Sequence, residues 1–188
     1  LITFWAVRLG SFLFMRIHKD GEDKRFRSIK PSSTQFFMTW TLQGLWVSLC
    51  SMCALTAIAS QSGVVVNAFF YLGIGLFILG FSIEVIADNQ KTKFRSVPEN
   101  RNKFITTGLW SKSRHPNFFG EIVLWTGIAV ISVSSLEGLQ YITLISPVFT
   151  YLLLVYVSGV RMLEARADKQ WGHEEEYIKY KSTVPTLF

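Results

Sequence analysis

The sequence predicts an all-α fold: a polytopic transmembrane helix bundle of about five crossings, with amphipathic helices on its cytosolic side. Three observations predict it. The first is composition: of 188 residues, 49% are hydrophobic and only 17% charged, with 16 Phe and 6 Trp. The second is an uncharged run of 53 residues from Pro31 to Ile83, room for two crossings of about 20 residues each and a short turn. Further uncharged runs cover Ile122–Leu136 and Gly138–Val160, whereas a soluble helix carries a polar face. The third is the placement of charge. Six basic residues fall between Arg16 and Lys30, seven between Lys91 and Arg114 and five between Arg161 and Lys181, which leaves only Arg8 of the 19. The turns at the opposite helix ends, Gln61–Gly63 and Ser134–Gly138, hold no Lys or Arg. An excess of Lys and Arg on one side marks that side as cytosolic.

Each element follows from these runs. Helix one extends from the start to about Met15, and a charged loop containing Gly21-Glu-Asp-Lys-Arg-Phe26 follows. Helix two covers roughly Gln35 to Ser60, and helix three roughly Val64 to Ala87, continuing past the membrane as a polar helix through Arg95. Ser96–Lys103 is a loop broken at Pro98. Helix four begins at Pro116, a residue favoured in a first helical turn, and ends near Ser132. Helix five spans about Leu139 to Val160 and tolerates Pro147, as membrane helices can. Arg161–Phe188 reads as one or two amphipathic cytosolic helices ending at Pro185. The whole chain, 1–188, is expected to form one membrane domain with cytosolic segments at about 16–34, 88–116 and 161–188. It opens inside an apolar segment without Met, so further N-terminal helices are expected upstream.

Several function classes are set aside here. The net charge of +6 is accounted for by the topological asymmetry, so no nucleic-acid partner is expected. Cys50 and Cys53 are spaced C-x-x-C inside an apolar run with no His nearby, and read as small buried side chains rather than a redox or zinc pair. Gly73, Gly75 and Gly80 follow no strand and read as close-packing positions between helices, not as a dinucleotide turn. Three scattered His residues without metal-ligand spacing predict no metal site.

Candidate chemistry gathers at the cytosolic helix ends. Glu84, Asp88, Lys91 and Arg95 recur at helical spacing and share one face. Such a face is either a salt-bridged solvated stripe or the polar wall of a ligand site. Arg114-His-Pro-Asn117 opens helix four, whose positive dipole end and unpaired N–H groups favour an anion. Glu121 shares a face with Asn117 just inside the apolar span, where a carboxylate normally faces the bundle interior. His115 reads as a capping residue. Arg161, Glu164 and Asp168 form a third face, and Arg8 is a charge inside helix one. Arg161 at a membrane edge and Arg8 at a helix end in water also have structural readings. Together these residues suggest a cytosol-facing pocket with an apolar floor, suited to a polyanionic ligand and a hydrophobic partner from the bilayer.

Two segments carry a resemblance. Glu84-Val-Ile-Ala-Asp-Asn-Gln-Lys-Thr-Lys-Phe94 and Gly108-Leu-Trp-Ser-Lys-Ser-Arg-His-Pro-Asn-Phe-Phe-Gly-Glu121 resemble the motifs of the steroid 5α-reductase C-terminal-like membrane family, in its uncharacterised branch. Ser158-Gly-Val-Arg-Met-Leu-Glu164 and Tyr177–Pro185 are similar to its C-terminal end. The resemblance implies an NADPH-dependent reductase of an activated carbon–carbon double bond in a lipid or steroid-like substrate. It implies cofactor contacts for Asp88, Arg95, Asn117, Glu121 and Arg161, and matches Arg8 to a cofactor Arg on an earlier helix. With Lys91, Arg114 and Asp168 from the faces above, these make up the expected cofactor-binding set; no residue is assigned as catalytic. The family's proton-donating Tyr is replaced by Trp5, and a catalytic carboxylate expected further upstream lies outside this chain. The Arg-His-Pro turn also resembles that of isoprenylcysteine and phospholipid methyltransferases, which bind S-adenosylmethionine. Their paired Glu-Glu is here Glu164-Ala165. A third reading is a non-catalytic membrane protein keeping the fold. The expected location is a multi-pass membrane protein with site and C-terminus cytosolic, in the endoplasmic reticulum of a eukaryote or the inner membrane of a bacterium.

Overall fold

A computed structural model describes residues 1–22, 26–27, 29–157 and 159–188, so residues 23–25 and 28 of the charged loop expected between Arg16 and Lys30, and Ser158 of the C-terminal motif, lie outside the described residues. Among the described residues there are helices and connections but no strand, as the sequence predicts. The chain divides into two compact units, residues 1–49 and 50–188.

In the first unit, helix α1 runs Ile2–Asp20 and ends at Gly21 with φ 79°. It outlasts the expected end at Met15 because nothing between Arg16 and Lys19 breaks a helix, and His18 and Lys19 in the last turn complement its dipole. Helix α2, Ser33–Ala59, begins here and exposes Phe37, Trp40, Leu42 and Leu45.

In the second unit, α3 runs Ala68–Ser96, a single helix through the polar segment as predicted. Its 29 residues extend about 43 Å at 1.5 Å per residue, well beyond a bilayer core of about 30 Å. It starts four residues later than expected because Asn67 caps it: the Asn67 side chain accepts from the Phe69 and Phe70 N–H groups at 3.0 and 3.2 Å. The same side chain donates to Ser134 Oγ at 2.7 Å, and Val65 N–H donates to Ser135 Oγ at 3.3 Å, which ties two turns together.

Helix α4, Pro116–Ser132, has the predicted bounds. It lies antiparallel to α3 in the most extensive helix pairing of the chain. The pairing is made by backbone contact. A Cβ placed on Gly80 would lie 2.4 Å from Gly120 O, and one on Gly127 would lie 2.6 Å from Gly73 O. Two glycine pairs, seven residues apart on each helix, therefore set the separation. Gly75 is no part of this seam; nothing lies within 4 Å of its Cβ position.

Helix five is not the regular helix expected. Gly138–Ile145 is 3₁₀, α5 covers Ser146–Leu152, and Leu153–Val157 is a π turn. Pro147 explains the first break. It lacks an N–H and its ring crowds the carbonyl four residues back, so the α form starts with Pro in its first turn. Ser146 Oγ donates to Cys50 O, and Cys50 Sγ meets Thr150 Oγ1 at 3.1 Å. Cys50 and Cys53 are both free thiols, 1% and 0% exposed. The tail forms α6, Val160–Trp171, and α7, Glu175–Thr183.

Among the described residues four helical stretches are long and apolar enough to cross a membrane: Ser33–Ala59, Ala68–Ser96, Pro116–Ser135 and Gly138–Trp171. This corrects the expectation of about five. Helix α1 falls short because Arg8, Arg16 and Lys19 interrupt it. The spans turn their apolar side chains outward; α3 exposes Phe69, Tyr71, Leu72, Ile78, Leu79 and Ile86. A continuous apolar surface of this kind suits lipid and not water. The chain is an integral membrane protein.

Candidate functional site

The candidate residues gather at the start of α4 and the adjoining part of α3. The preceding segment is anchored to α3 by three contacts. Leu109 N–H donates to Gln90 Oε1 at 2.9 Å, Trp110 Nε1–H donates to Ala87 O at 3.1 Å, and Lys91 Nζ lies 4.5 Å from the Trp110 ring centre. Gly108, at φ 64°, lies against the Gln90 amide, where any side chain would collide.

The Arg-His-Pro turn is bound to the tail. Arg114 N–H donates to Pro185 O at 2.9 Å and His115 N–H to Thr186 O at 3.2 Å. Ser113 Oγ also donates to Thr186 O at 3.2 Å. The Arg114 guanidinium donates to Lys181 O at 2.6 Å, Val184 O at 3.0 Å, Thr186 Oγ1 at 2.7 Å and Glu164 Oε1 at 3.2 Å. A second contact to Glu164 Oε2, at 3.1 Å, makes the ion pair bidentate. His115 occupies the N-cap position of α4 but its ring makes no cap; Nε2 lies 2.8 Å from Glu164 Oε1 and the ring stacks on Phe118.

The tail helices are locked by polar and aromatic contacts. Asp168 accepts from Tyr177 OH at 3.1 Å and pairs with Lys181. Tyr180 OH donates to Trp110 O at 2.6 Å. Burial, followed by the hydrogen bond to Asp168, pushes the Tyr177 hydroxyl far above the usual tyrosine range. Burial also pushes Tyr180 up to about 12. Both stay protonated donors at neutral pH. Phe104 packs on Trp171, Tyr177 and Tyr180.

The inner part of the site is acidic. Glu84, Asp88 and Glu121 are 4%, 9% and 9% exposed. Gly120 brings α4 against the Glu84 backbone, since a Cβ there would lie 2.8 Å from Glu84 N. Glu121 is the next residue, so the two helices carry their buried carboxyl groups on facing segments. Among the described residues no three His, Cys, Asp or Glu side chains could hold a metal ion.

The expected residues are thus placed as follows. Asp88, Asn117 and Glu121 belong to the α3–α4 seam or the helix start beside it, Asp88 and Glu121 buried and Asn117 half-buried. Lys91 stacks on Trp110, and Arg95 and Arg161 are exposed. Arg114 and Asp168 bind the tail. Arg8 belongs to the other unit, over the Phe12 ring at 5.2 Å. Sequence reasoning placed Glu164 on a face with Arg161 and Asp168 but missed that it joins Arg114 to His115. It also missed Tyr180 and Thr186 entirely. The dense aromatic content of Phe104, Trp171, Tyr177 and Tyr180 was the available signal for a packed tail.

A family model described as a protein of unknown function, DUF1295, matches residues 1–184. The chain belongs to this family. Curated relatives of this DUF1295 chain include a probable O-methyltransferase, ustE, of Ustilaginoidea virens, 28% identical over 54% of the chain and 41% of the relative. The 3-oxo-5-alpha-steroid 4-dehydrogenase 1 of Bos taurus is 30% identical over 63% of the chain and 42% of the relative. An uncharacterized protein of Schizosaccharomyces pombe is 24% identical over 100% of the chain and 61% of the relative. The chain spans about two fifths of the length of the two named enzymes. No solved structure matches. The resemblance to an uncharacterised, steroid-reductase-like branch of membrane proteins therefore stands.

Proposed function

We propose that this DUF1295 chain carries the cofactor part of an NADPH-dependent membrane reductase acting on an activated carbon–carbon double bond in a lipid or steroid-like molecule. The observation that carries the reading is the joint burial of Asp88 and Glu121 at the α3–α4 seam, beside the start of α4. Buried carboxylates suit the hydroxyl and amide donors of a nucleotide ligand, which is the fit expected of the group. The likeness to the steroid 4-dehydrogenase supports the reaction class. NADPH, when bound, supplies a hydride to the β-carbon of the double bond. In this reading Asn117 and Glu121 orient the ligand from α4, Asp88 meets it from α3, and the exposed Arg95 and Arg161 offer charge to its phosphates. Arg114 keeps the turn and the tail in place. Trp5 has no hydroxyl to donate, so no residue of this chain is assigned the proton. The ustE match favours a second reading, a methyl transfer to a lipid from S-adenosylmethionine.

Binding of NADPH, NADH and S-adenosylmethionine to one detergent-purified sample separates the two. Saturable NADPH binding, tighter than NADH and weakened by salt, is expected, because exposed Arg–phosphate attraction is screened. Asn117→Ala and Glu121→Gln should each weaken it about ten- to a hundredfold, the loss of one charge-assisted hydrogen bond. S-adenosylmethionine binding without NADPH binding overturns the reductase reading.

In the proposed topology the Arg-His-Pro turn and the C-terminus face the cytosol and Gln61–Gly63 faces away, on the positive-inside argument. Cysteines introduced singly at the exposed Ser62 and Ser111 are expected to react with an impermeant maleimide from opposite sides of sealed vesicles. The native thiols, 1% and 0% exposed, give little background. Labelling of both from one side refutes the topology.

A further inference from the structure

A single carboxylate grips two consecutive residues at the point where α4 begins. Glu164 Oε1 lies 3.2 Å from Arg114 Nε and 2.8 Å from His115 Nε2, and Oε2 lies 3.1 Å from Arg114 Nη2. Lys181 Nζ stands 3.7 Å away. The Arg114 and Glu164 side chains are only 12% and 18% exposed, so their attraction is weakly screened. The same two residues are gripped on the main chain, where the tail carbonyls of Pro185 and Thr186 take their N–H groups. Contact then passes forward into the helix. Phe119 N–H donates to His115 O at 3.1 Å, and the His115 ring stacks on Phe118 with centroids 5.7 Å apart. Phe118 in turn closes on Gly159, whose Cβ position is 3.0 Å from the Phe118 ring. A side chain larger than hydrogen at position 159 would meet Leu154 O first, at 2.5 Å, and then the Phe118 ring.

We propose that Glu164 is a positioning residue: by holding Arg114 and His115 together it sets the direction of the first turn of α4, from which Asn117 and Glu121 project. It touches neither of those two residues by a hydrogen bond; it acts through the turn. The proposal rests on the reading that Asn117 and Glu121 face the ligand, but half of it concerns the protein alone and is measured without any ligand. An acceptor of the same shape without charge would keep one hydrogen bond and leave the Arg114 cation without its bidentate partner. A shorter carboxylate would keep the charge and restore part of the geometry.

The experiment uses the full chain in detergent with Glu164→Gln and Glu164→Asp. Amide hydrogen exchange is followed by mass spectrometry at Arg114 and His115, which report the tail, and at Phe119, which reports the start of α4. Binding of NADPH and of S-adenosylmethionine is measured on the same samples. In Glu164→Gln, exchange is expected to rise at all three amides, and the affinity for whichever cofactor the wild type binds to fall about tenfold, as for a lost charge-assisted hydrogen bond. Glu164→Asp is expected to recover much of both. Unchanged exchange at all three amides overturns the proposal, whatever the ligand result. Faster exchange at Arg114 and His115 with Phe119 unchanged also overturns it, because Glu164 then fastens the tail without steering the helix. Faster exchange at Phe119 with unchanged affinity overturns the link to the site. A wild type that binds neither cofactor defeats the functional reading, and the exchange data still decide whether Glu164 steers the turn. Should Glu164→Gln fail to fold, Glu164→Asp decides alone: wild-type exchange and affinity despite its shorter reach overturn the proposal, and an intermediate loss of both supports it.

Discussion

Alanine at Gly120 is expected to destabilise the protein by about 3 kcal/mol, the upper end of the usual cost of overpacking, while alanine at Gly75 stabilises it by about 0.5–1 kcal/mol. The contrast follows from what each new methyl group would meet. At Gly120 it would sit 2.6 Å from Gly80 O and 2.8 Å from Glu84 N, both backbone atoms that cannot rotate away. The helices must separate, and contacts along the whole α3–α4 seam loosen together. At Gly75 nothing lies within 4 Å, so the methyl group only reduces the freedom of the unfolded chain. Gly80→Ala should behave as Gly120→Ala, with 2.4 Å to Gly120 O. The buried thiols of Cys50 and Cys53 give the measurement: a thiol-reactive fluorogen reports thermal unfolding in detergent. A lower melting temperature for Gly75→Ala than for Gly120→Ala would contradict the seam.

Arg114→Met is expected to cost about 3 kcal/mol, the low end of the penalty for breaking a buried ion pair from one side, because this pair is only partly buried. The methionine fills similar space but leaves the carbonyls of Lys181 and Val184 and one oxygen of Glu164 without their donor. Arg114→Lys should recover little, since one ammonium cannot replace a planar fork reaching four acceptors. The tail should then open locally before the bundle melts. Limited trypsin digestion checks this: cleavage after Lys181 should quicken in Arg114→Met well below the melting temperature. Digestion at the wild-type rate would show that the tail is held by α7 packing alone.

The membrane spans were readable because the uncharged runs are long and the bilayer demands them. The start of α4 at Pro116 and the single helix through Arg95 were readable for local reasons, a proline suited to a first turn and a continuous helical spacing of charge. The count of crossings was not, because α1 is apolar on average yet carries Arg8, Arg16 and Lys19. The late start of α3 depends on the Asn67 side chain choosing the Phe69 and Phe70 amides, which any nearby polar residue competes for. For the site, the residue types were visible and the partners were not. Arg114 stood out as a cation at a helix start, where an anion is the natural guess. Its acceptors lie 50 to 72 positions away, and no periodicity links such distant positions. The packing role of the glycines at 120 and 127 is not legible in the sequence because they carry no charge and their partners lie on another helix, yet they bring the carboxylates of α3 and α4 to one seam.

The mixed geometry of helix five has a consequence for the thickness it can cross. A 3₁₀ stretch rises about 2.0 Å per residue against about 1.5 Å for an α-helix. The eight residues Gly138–Ile145 therefore climb about 16 Å where a regular helix would climb about 12 Å. The segment thereby gains nearly the depth of three α residues while using none. A 3₁₀ stretch of this length is uncommon, since its hydrogen bonds are poorer, and relaxing it to α would draw the helix in by about 4 Å. A thicker bilayer would favour the 3₁₀ form and a thinner one would favour its relaxation to α.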